Sequence, residues 1–461
     1  MKAVIKKAKN RQNKGAAFIV ALIFIALFSA LAISIATMST TNAQIAYNLH
    51  NANQAIASAE SGLEIIRCWI NNVSIPGTTS PANKFSAFAA ALQSNIYDIS
   101  KITVYNSSTI SIPSVSLDSA QKNFSASITP FDANNLQVNI IGAFGTVTRN
   151  ITVNYEFGVR GQSVFDYGVA TKGPLSLAGN IELEGVNVSV EASVYIESLN
   201  DNLALSIIGN SQIAGDVSIV NSSANVFLQG GKAGIGGETG QDAIDNHVDI
   251  GVPPTEFPIP NPGQFEPYAT AIINSSTNTS ADATYENARI VAGTNPHFTG
   301  NVTLRGIIFV ETPNVVTFSG NVDIIGIIVG DGDYFDNSGV NQINITGNVS
   351  SRSVSNLPDL PQFADIRTQT GTFILAPGFS ASFGGNFDTI SGAIAANGIE
   401  FFGHAGGTIN GSVINYSDEE MTLTGNADLY FNRSGTAEIP AGFIPEIILT
   451  YDPSSYTEPV L

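Results

Sequence analysis

The chain of 461 residues carries 19 Lys+Arg against 38 Asp+Glu, a net charge of −19, and only 12% of its residues are charged. That balance argues against nucleic acid as a partner, because a phosphate backbone is held by concentrated Lys and Arg. A lone cysteine, Cys68, excludes an internal disulfide framework and a Cys-based zinc site. Apolar residues, at 43%, are too many for a disordered chain.

The charge is unevenly placed. Lys2, Lys6, Lys7, Lys9, Arg11 and Lys14 precede the first acidic residue, Glu60, and without them the balance is 13 basic against 38 acidic residues. After this basic leader, residues 1–15, an apolar run extends from Ala16 to Ala36 and is broken only by Ser29 and Ser34. As a helix rising 1.5 Å per residue it reaches about 30 Å, the thickness of a hydrocarbon core. Phe18, Ile19, Val20, Leu22, Phe24, Leu27 and Phe28 form its greasy surface. The positive-inside rule keeps the basic flank in the cytoplasm and sends the rest of the chain across the cytoplasmic membrane.

Three readings compete for the segment: a cleaved secretory signal, a plain anchor, or the first half of a longer helix. Beyond the span there is no Pro up to Asn71, and Gly62 is the only Gly. Ile45, Leu49, Ala52, Ile56, Ala59, Leu63 and Ile66 recur every three or four residues, so one face of a stalk helix is expected to follow the span, with residues 16–71 forming one rod.

This arrangement resembles the N-terminus of type IV pilin-like proteins, specifically the PilX-type pilus-assembly and K-type pseudopilin group. The resemblance is carried by Lys14-Gly15-Ala16-Ala17-Phe18-Ile19-Val20-Ala21-Leu22 and Ala59-Glu60-Ser61-Gly62-Leu63-Glu64. It implies that a prepilin peptidase cuts after Gly15, leaving Ala16 as the new N-terminus. It also implies that other pilins or pseudopilins pack against the apolar helix. Major pilins carry Glu at the fifth mature position, where this chain has Val20; the departure fits the PilX-like and K-type members.

Residues 72–160 read as a small pilin-like α+β head. A short helix is expected over residues 82–97, then five alternating strands over 102–105, 109–117, 123–129, 136–141 and 147–157. Their separators, such as Pro130-Phe131-Asp132-Ala133-Asn134-Asn135, are turn chemistry.

From Ser163 onward an apolar-x-Gly-Asn motif appears seven times, at Gly179-Asn180, Gly209-Asn210, Gly300-Asn301, Gly320-Asn321, Gly347-Asn348, Gly385-Asn386 and Gly425-Asn426. The pattern predicts coils of about 20–30 residues, with Gly-Asn as a positive-φ corner and each coil stacked on the one before it. The fold expected is mostly β: the long helix, the head, then a right-handed parallel β-helix (solenoid) over residues 163–435. The alternative is an antiparallel sandwich whose turns use Gly-Asn. Residues 230–290 lack the motif. They are expected to form a loop insertion laid along the coils and anchored by Phe257, Ile259, Phe265 and Tyr268, with Asn274–Ser280 mobile. Residues 436–461 are expected to cap one end of the stack. The stretch from Ala376 to Asn415 resembles a β-helical domain appended to PilX-like N-termini.

Catalytic chemistry is not apparent. His50, His247, His297 and His404 are scattered, and no nucleophilic triad or phosphate loop occurs. Asp331, Asp333 and Asp336 supply the oxygens that Ca²⁺ takes, but at spacings unlike an EF-hand; an acidic solvent loop is the competing reading. Glu182 and Glu184 share a strand face and read as solvated outer positions. Cys68 is expected to be buried against the head, the alternative being a pairing with another subunit, and Trp69 then serves as a core anchor. The function expected is a non-enzymatic minor pilin-like or pseudopilin-like component of a type IV pilus or type II secretion-like assembly. The alternatives are a membrane-anchored adhesin for a surface glycan and a displayed polysaccharide lyase or hydrolase.

Overall fold

The computed structural model describes residues 14–95, 103–105, 108–117, 121–333 and 339–458. The chain divides into two compact units, one formed by residues 1–75, 79–158 and 448–461 and the other by 76–78 and 159–447.

In the first unit a single helix, α1 (Lys14–Asn71), begins as an exposed apolar spiral. Burial against the head starts at Asn51, and from there Ala52, Ala55, Ala59, Leu63, Ile66 and Ile70 are buried. Ile45 and Leu49, expected on the packed face, are 59% and 60% exposed. Small residues allow the helix to lie close: a Cβ on Gly142 of the sheet would stand 2.2 Å from the Ala59 nitrogen. A second helix, α2 (Lys84–Asn95), buries Phe88, Ala89 and Leu92 in the same core. Strands Thr103–Tyr105, Thr109–Ser116, Lys122–Pro130, Asn135–Phe144 and Val147–Arg160 follow one another as antiparallel neighbours.

The next neighbour in that sheet comes from the far end of the chain. Strand Glu446–Thr457 lies beside Val147–Arg160, with Leu449 buried and the Tyr451 ring 5.5 Å from that of Tyr155. The C-terminal tail therefore completes the head sheet, contrary to the cap expected for residues 436–461. Leu449 and Tyr451, two residues apart, give it a face that packs on the head core. Residues 436–447 of the tail stay in the second unit, where Phe443–Ile444 pairs with Ile259–Pro260. Cys68 is exposed rather than buried, because the inward face of α1 at that level is taken by Ile66 and Ile70. Trp69 packs at the edge of the core with its ring 6.5 Å from Phe124.

The second unit is built of short strands in three mainly parallel sheets around one apolar core. Sheet I contains, in spatial order, strands Val248–Ile250, Val217–Ile219, Val194–Ile196, Val169–Thr171, Val413–Asn415, Ala393–Ala396, Thr372–Ala376, Asn321–Gly330, Asn301–Val310, Ala283–Ile290 and Ala271–Ile273. Sheets II and III repeat this order: Leu175–Gly179 lies between Leu203–Gly209 and Met421–Gly425, and Glu182–Gly185 between Gln212–Ile213 and Asp428–Phe431.

The order differs from simple sequential stacking. The first turn, residues 169–185, lies in the middle, and two further turns extend from it to Val248–Ile250. The chain then reaches the opposite end, starts again at Ala271–Ile273, and works back until Val413–Asn415 pairs with Val169–Thr171. Residues 230–290 are thus not one loop: Gly234–Ile235, α3 (Gly240–His247), Val248–Ile250, Ala271–Ile273 and Ala283–Ile290 are regular elements. The crossover is the Pro-rich piece between Val252 and Tyr268, where Pro cannot donate to a ladder and Pro262–Tyr268 winds as a 3-10 helix. Phe265 is fully buried against the outer face of sheet I; Phe257 and Tyr268 are partly buried beside it, and Ile259 is exposed. Asn274–Ser280 forms a turn in which the Asn274 side chain accepts from Ser276 N.

Where the first and last turns meet, the Glu191 carboxylate joins them. It accepts hydrogen bonds from Asn187 N at 2.8 Å, Asn187 Nδ2 at 3.0 Å and Arg433 N at 3.0 Å. Burial works to raise its pKa, but these donors outweigh burial and hold it below the ordinary Glu value. A depressed carboxylate pKa contributes stability above the unfolded-state value, and that contribution is lost as pH falls through the folded-state value. Glu191→Gln is therefore expected to cost about 1–3 kcal/mol at neutral pH. In denaturant titrations the difference from the parent should shrink below about pH 4.

The turns also approach one another too closely for a side chain. A Cβ on Gly320 would stand 2.2 Å from the Gly300 carbonyl oxygen, whereas Gly231 has open space around it. Gly320→Ala should destabilise the protein by about 2 kcal/mol or more, and Gly231→Ala should leave the thermal midpoint nearly unchanged.

Candidate functional site

Two features stand out: the exposed half of α1 and one corner of the second unit. Along α1, Phe18, Ile19, Val20, Leu22, Phe24, Leu27 and Phe28 are all at least half exposed. The helix from Ala16 is long and apolar enough to cross a membrane, and its apolar stretch is nowhere buried. Where polarity enters, it is turned inward: the hydroxyls of Thr37, Thr40 and Thr41 donate to the carbonyls of Ile33, Ala36 and Thr37 four residues back. This internal satisfaction lowers the cost of leaving water. Lys14, Gly15 and Ala16 lie at the start of the same continuous helix. Val20 places an aliphatic side chain, without a carboxylate, on the exposed surface.

The seven Gly-Asn pairs, dispersed over about 250 residues of sequence, come together at the corner that follows sheet II. Strand register puts their glycines into one column, in the order Gly300, Gly320, Gly347, Gly385, Gly425, Gly179 and Gly209. Gly403 stands between Gly385 and Gly425, and Gly230 extends the column past Gly209. The apolar residue of each motif forms an inner column, in which Phe298 stacks on Phe318 at 5.1 Å and Phe383 on Phe401 at 4.8 Å.

The expected reason for glycine holds for only part of the column. Gly179, Gly209 and Gly425 have positive φ; Gly300, Gly320, Gly347 and Gly385 do not. In the latter group glycine answers close backbone approach, as at Gly347, where a Cβ would meet the Gly320 oxygen at 2.2 Å. The positions at Gly403-His404 and Gly230-Gly231 escape a search for Gly-Asn. Their preceding Phe401 and Leu228 are the signal that could have found them.

Next to the glycines the asparagines form ladders. Asn321 Nδ2 donates to Asn301 Oδ1 at 3.0 Å, and Asn348 Nδ2 to Asn321 Oδ1 at 3.1 Å. Further along, Asn180 Nδ2 donates to Asn426 Oδ1 and Asn210 Nδ2 to Asn180 Oδ1, both at 2.8 Å.

The groups with catalytic or metal-binding chemistry do not converge. His50 sets its ring edge-on to Phe144 at 6.1 Å. His247 Nδ1 lies 2.7 Å from Asp216, and His297 Nε2 lies 2.6 Å from the Ser319 hydroxyl; His404 is exposed. Glu182 and Glu184 are exposed and stand in register with Asp428 and Tyr430. Asp331 accepts from Thr312 N at 2.7 Å, Asp333 is exposed, and Asp336 lies outside the described residues. Among the described residues, no three His, Cys, Asp or Glu side chains come together in a way that could hold a metal ion.

Residues 14–64, the exposed spiral and the first turns that dock on the head, match the family described as PilX N-terminal. This segment is a pilin-like N-terminal domain. Among curated proteins, none matches this chain. Of solved structures, the competence-associated pilin ComZ from Thermus thermophilus aligns over 89% of this chain and 98% of its own, at 12% identity and a TM-score of 0.23. An ice binding protein from an Antarctic Biological Consortium aligns over 58% of this chain and 89% of its own, at 14% identity and a TM-score of 0.22.

Proposed function

We propose that the protein is a minor pilin-like or pseudopilin-like component of a type IV pilus or type II secretion-like assembly, with a structural rather than catalytic role. The observation that carries this reading is the uncovered apolar half of α1, continuous with a head-packed half and falling within the PilX N-terminal match. An apolar helix that no described residue covers needs lipid or other apolar helices around it. A prepilin peptidase cutting after Gly15 would free the helix from its basic leader, so that it could leave the cytoplasmic membrane and bundle with pilin helices.

The second unit is read as a right-handed parallel β-helix carried outside the cell. Its support is the matching strand order of three parallel sheets and the near-universal handedness of parallel crossovers. A unit of this bulk suits a tip or low-copy position better than a densely packed shaft.

N-terminal sequencing of the protein from its native membranes tests the processing step. The mature chain is expected to begin at Ala16, and Gly15→Leu should leave the leader attached. A mature chain that starts at Met1, or one cut near Ala36, would contradict the reading.

A further inference from the structure

The ladder of Asn301, Asn321 and Asn348 is more than a corner clasp. Each amide is exposed and held by its neighbours, and the Asn301 amide is held in turn by Asp282. An asparagine amide has two N–H donors and two acceptor lone pairs. Within the ladder, Asn321 uses one donor and one acceptor, which leaves one of each at a fixed orientation.

Two residues on, a second row runs parallel to the first: Thr303, Asp323 and Ser350 are in register with one another. The residues between the rows, Val302, Val322 and Val349, are buried, so the two polar rows border a groove of about 420 Å³. A second groove of about 540 Å³ lies on the other side of the ladder, against Thr299, Ser319 and Thr346.

The chemistry of these walls selects a ligand. Hydroxyls and amides, each able to donate and accept, repeat at the parallel-strand spacing of about 4.8 Å, nearly the span of one ring in an extended β-1,4-linked sugar chain. Charge is confined to two carboxylates: Asp323 is held by Arg352 and by the Ser350 hydroxyl, and Asp388 stands exposed at the end of the groove beside Asn386. The groove offers no uncompensated cation, and a net charge of −19 repels polyanions. We propose that this groove binds an extended, uncharged β-1,4-linked glycan, with successive rings seated on successive strands. Ordering of the amides before binding removes part of the entropy cost of holding such a ligand. The proposal rests on reading the second unit as a parallel solenoid carried outside the cell.

The test uses the full chain, purified in a detergent without a sugar head group. It is sedimented with microcrystalline cellulose and chitin and titrated with cellohexaose, chitohexaose and their monosaccharides. Expected is co-sedimentation with at least one polymer and a hexaose affinity at least about tenfold above that of the monosaccharide, as multi-ring seating requires. Thr303→Tyr fills the groove and should weaken hexaose binding about tenfold. Thr422→Tyr, on the outer face of sheet II away from the groove, should leave it unchanged. Asn321→Asp, nearly isosteric, replaces the ladder donor by a charge and should also weaken binding if Thr303→Tyr fails to fold. Absence of binding to every glycan, or hexaose binding that neither groove variant weakens, would overturn the proposal. Neither result bears on processing at Gly15, which depends on α1 and is read separately.

Discussion

The constraint on which the rest depends is the exposed surface of α1, apolar from Ala16 to Ala36 and uncharged as far as Leu49. Here the backbone is satisfied within the helix, the threonine hydroxyls bond to it, and no charged side chain interrupts the surface. Among the described residues nothing covers this surface, which would be costly if left in water and costs little among lipid tails or other apolar helices. The change from exposed to packed helix at Asn51 is equally physical. From there on, Ala52, Ala55 and Ala59 are small enough to lie against Gly142 and the strands beside it.

A different constraint organises the second unit. Its turns stack with backbones so close that most of the corner glycines leave no room for a Cβ, and the apolar residue two before the corner glycine enters the shared core. The first and last turns of the unit, more than 240 residues apart, meet as neighbours in the middle of the sheets. Asn180 reaching Asn426 and Arg433 reaching Glu191 are the side-chain and backbone ties across that seam. The head sheet is likewise finished by a strand from the opposite end of the chain. Both units therefore depend on contacts of very long sequence separation, an arrangement that favours slow folding.

Local periodicity made much of this legible. The apolar run with its basic flank marked the exposed helix, the alternation over residues 102–157 marked the head strands, and the Gly-Asn repeats marked the corner column. What escaped was long-range order. Nothing in the spacing of Leu449 and Tyr451 says which strand will receive them, and nothing in the motif spacing says that the chain runs from the middle to one end and then returns from the other end to the middle. Ile45 and Leu49 keep the helical period of the packed face, but the period is silent on where the head ends. The role of glycine was legible only in part, because close approach at Gly320 and Gly347 leaves no local trace of the kind a turn leaves. Cys68 was misplaced for a related reason: burial at the end of α1 depends on helix phase relative to the sheet, which the flanking Arg67 and Trp69 do not define.

The most direct test of the central claim asks what surrounds α1 in the working assembly. A photo-crosslinking side chain placed at Phe24 in cells, followed by mass spectrometry of the sheared filament or secretion-complex fraction, would identify its neighbours. The account predicts adducts with the N-terminal helix of another pilin or pseudopilin. Recovery of lipid adducts alone, with no pilin helix among the products, would contradict it.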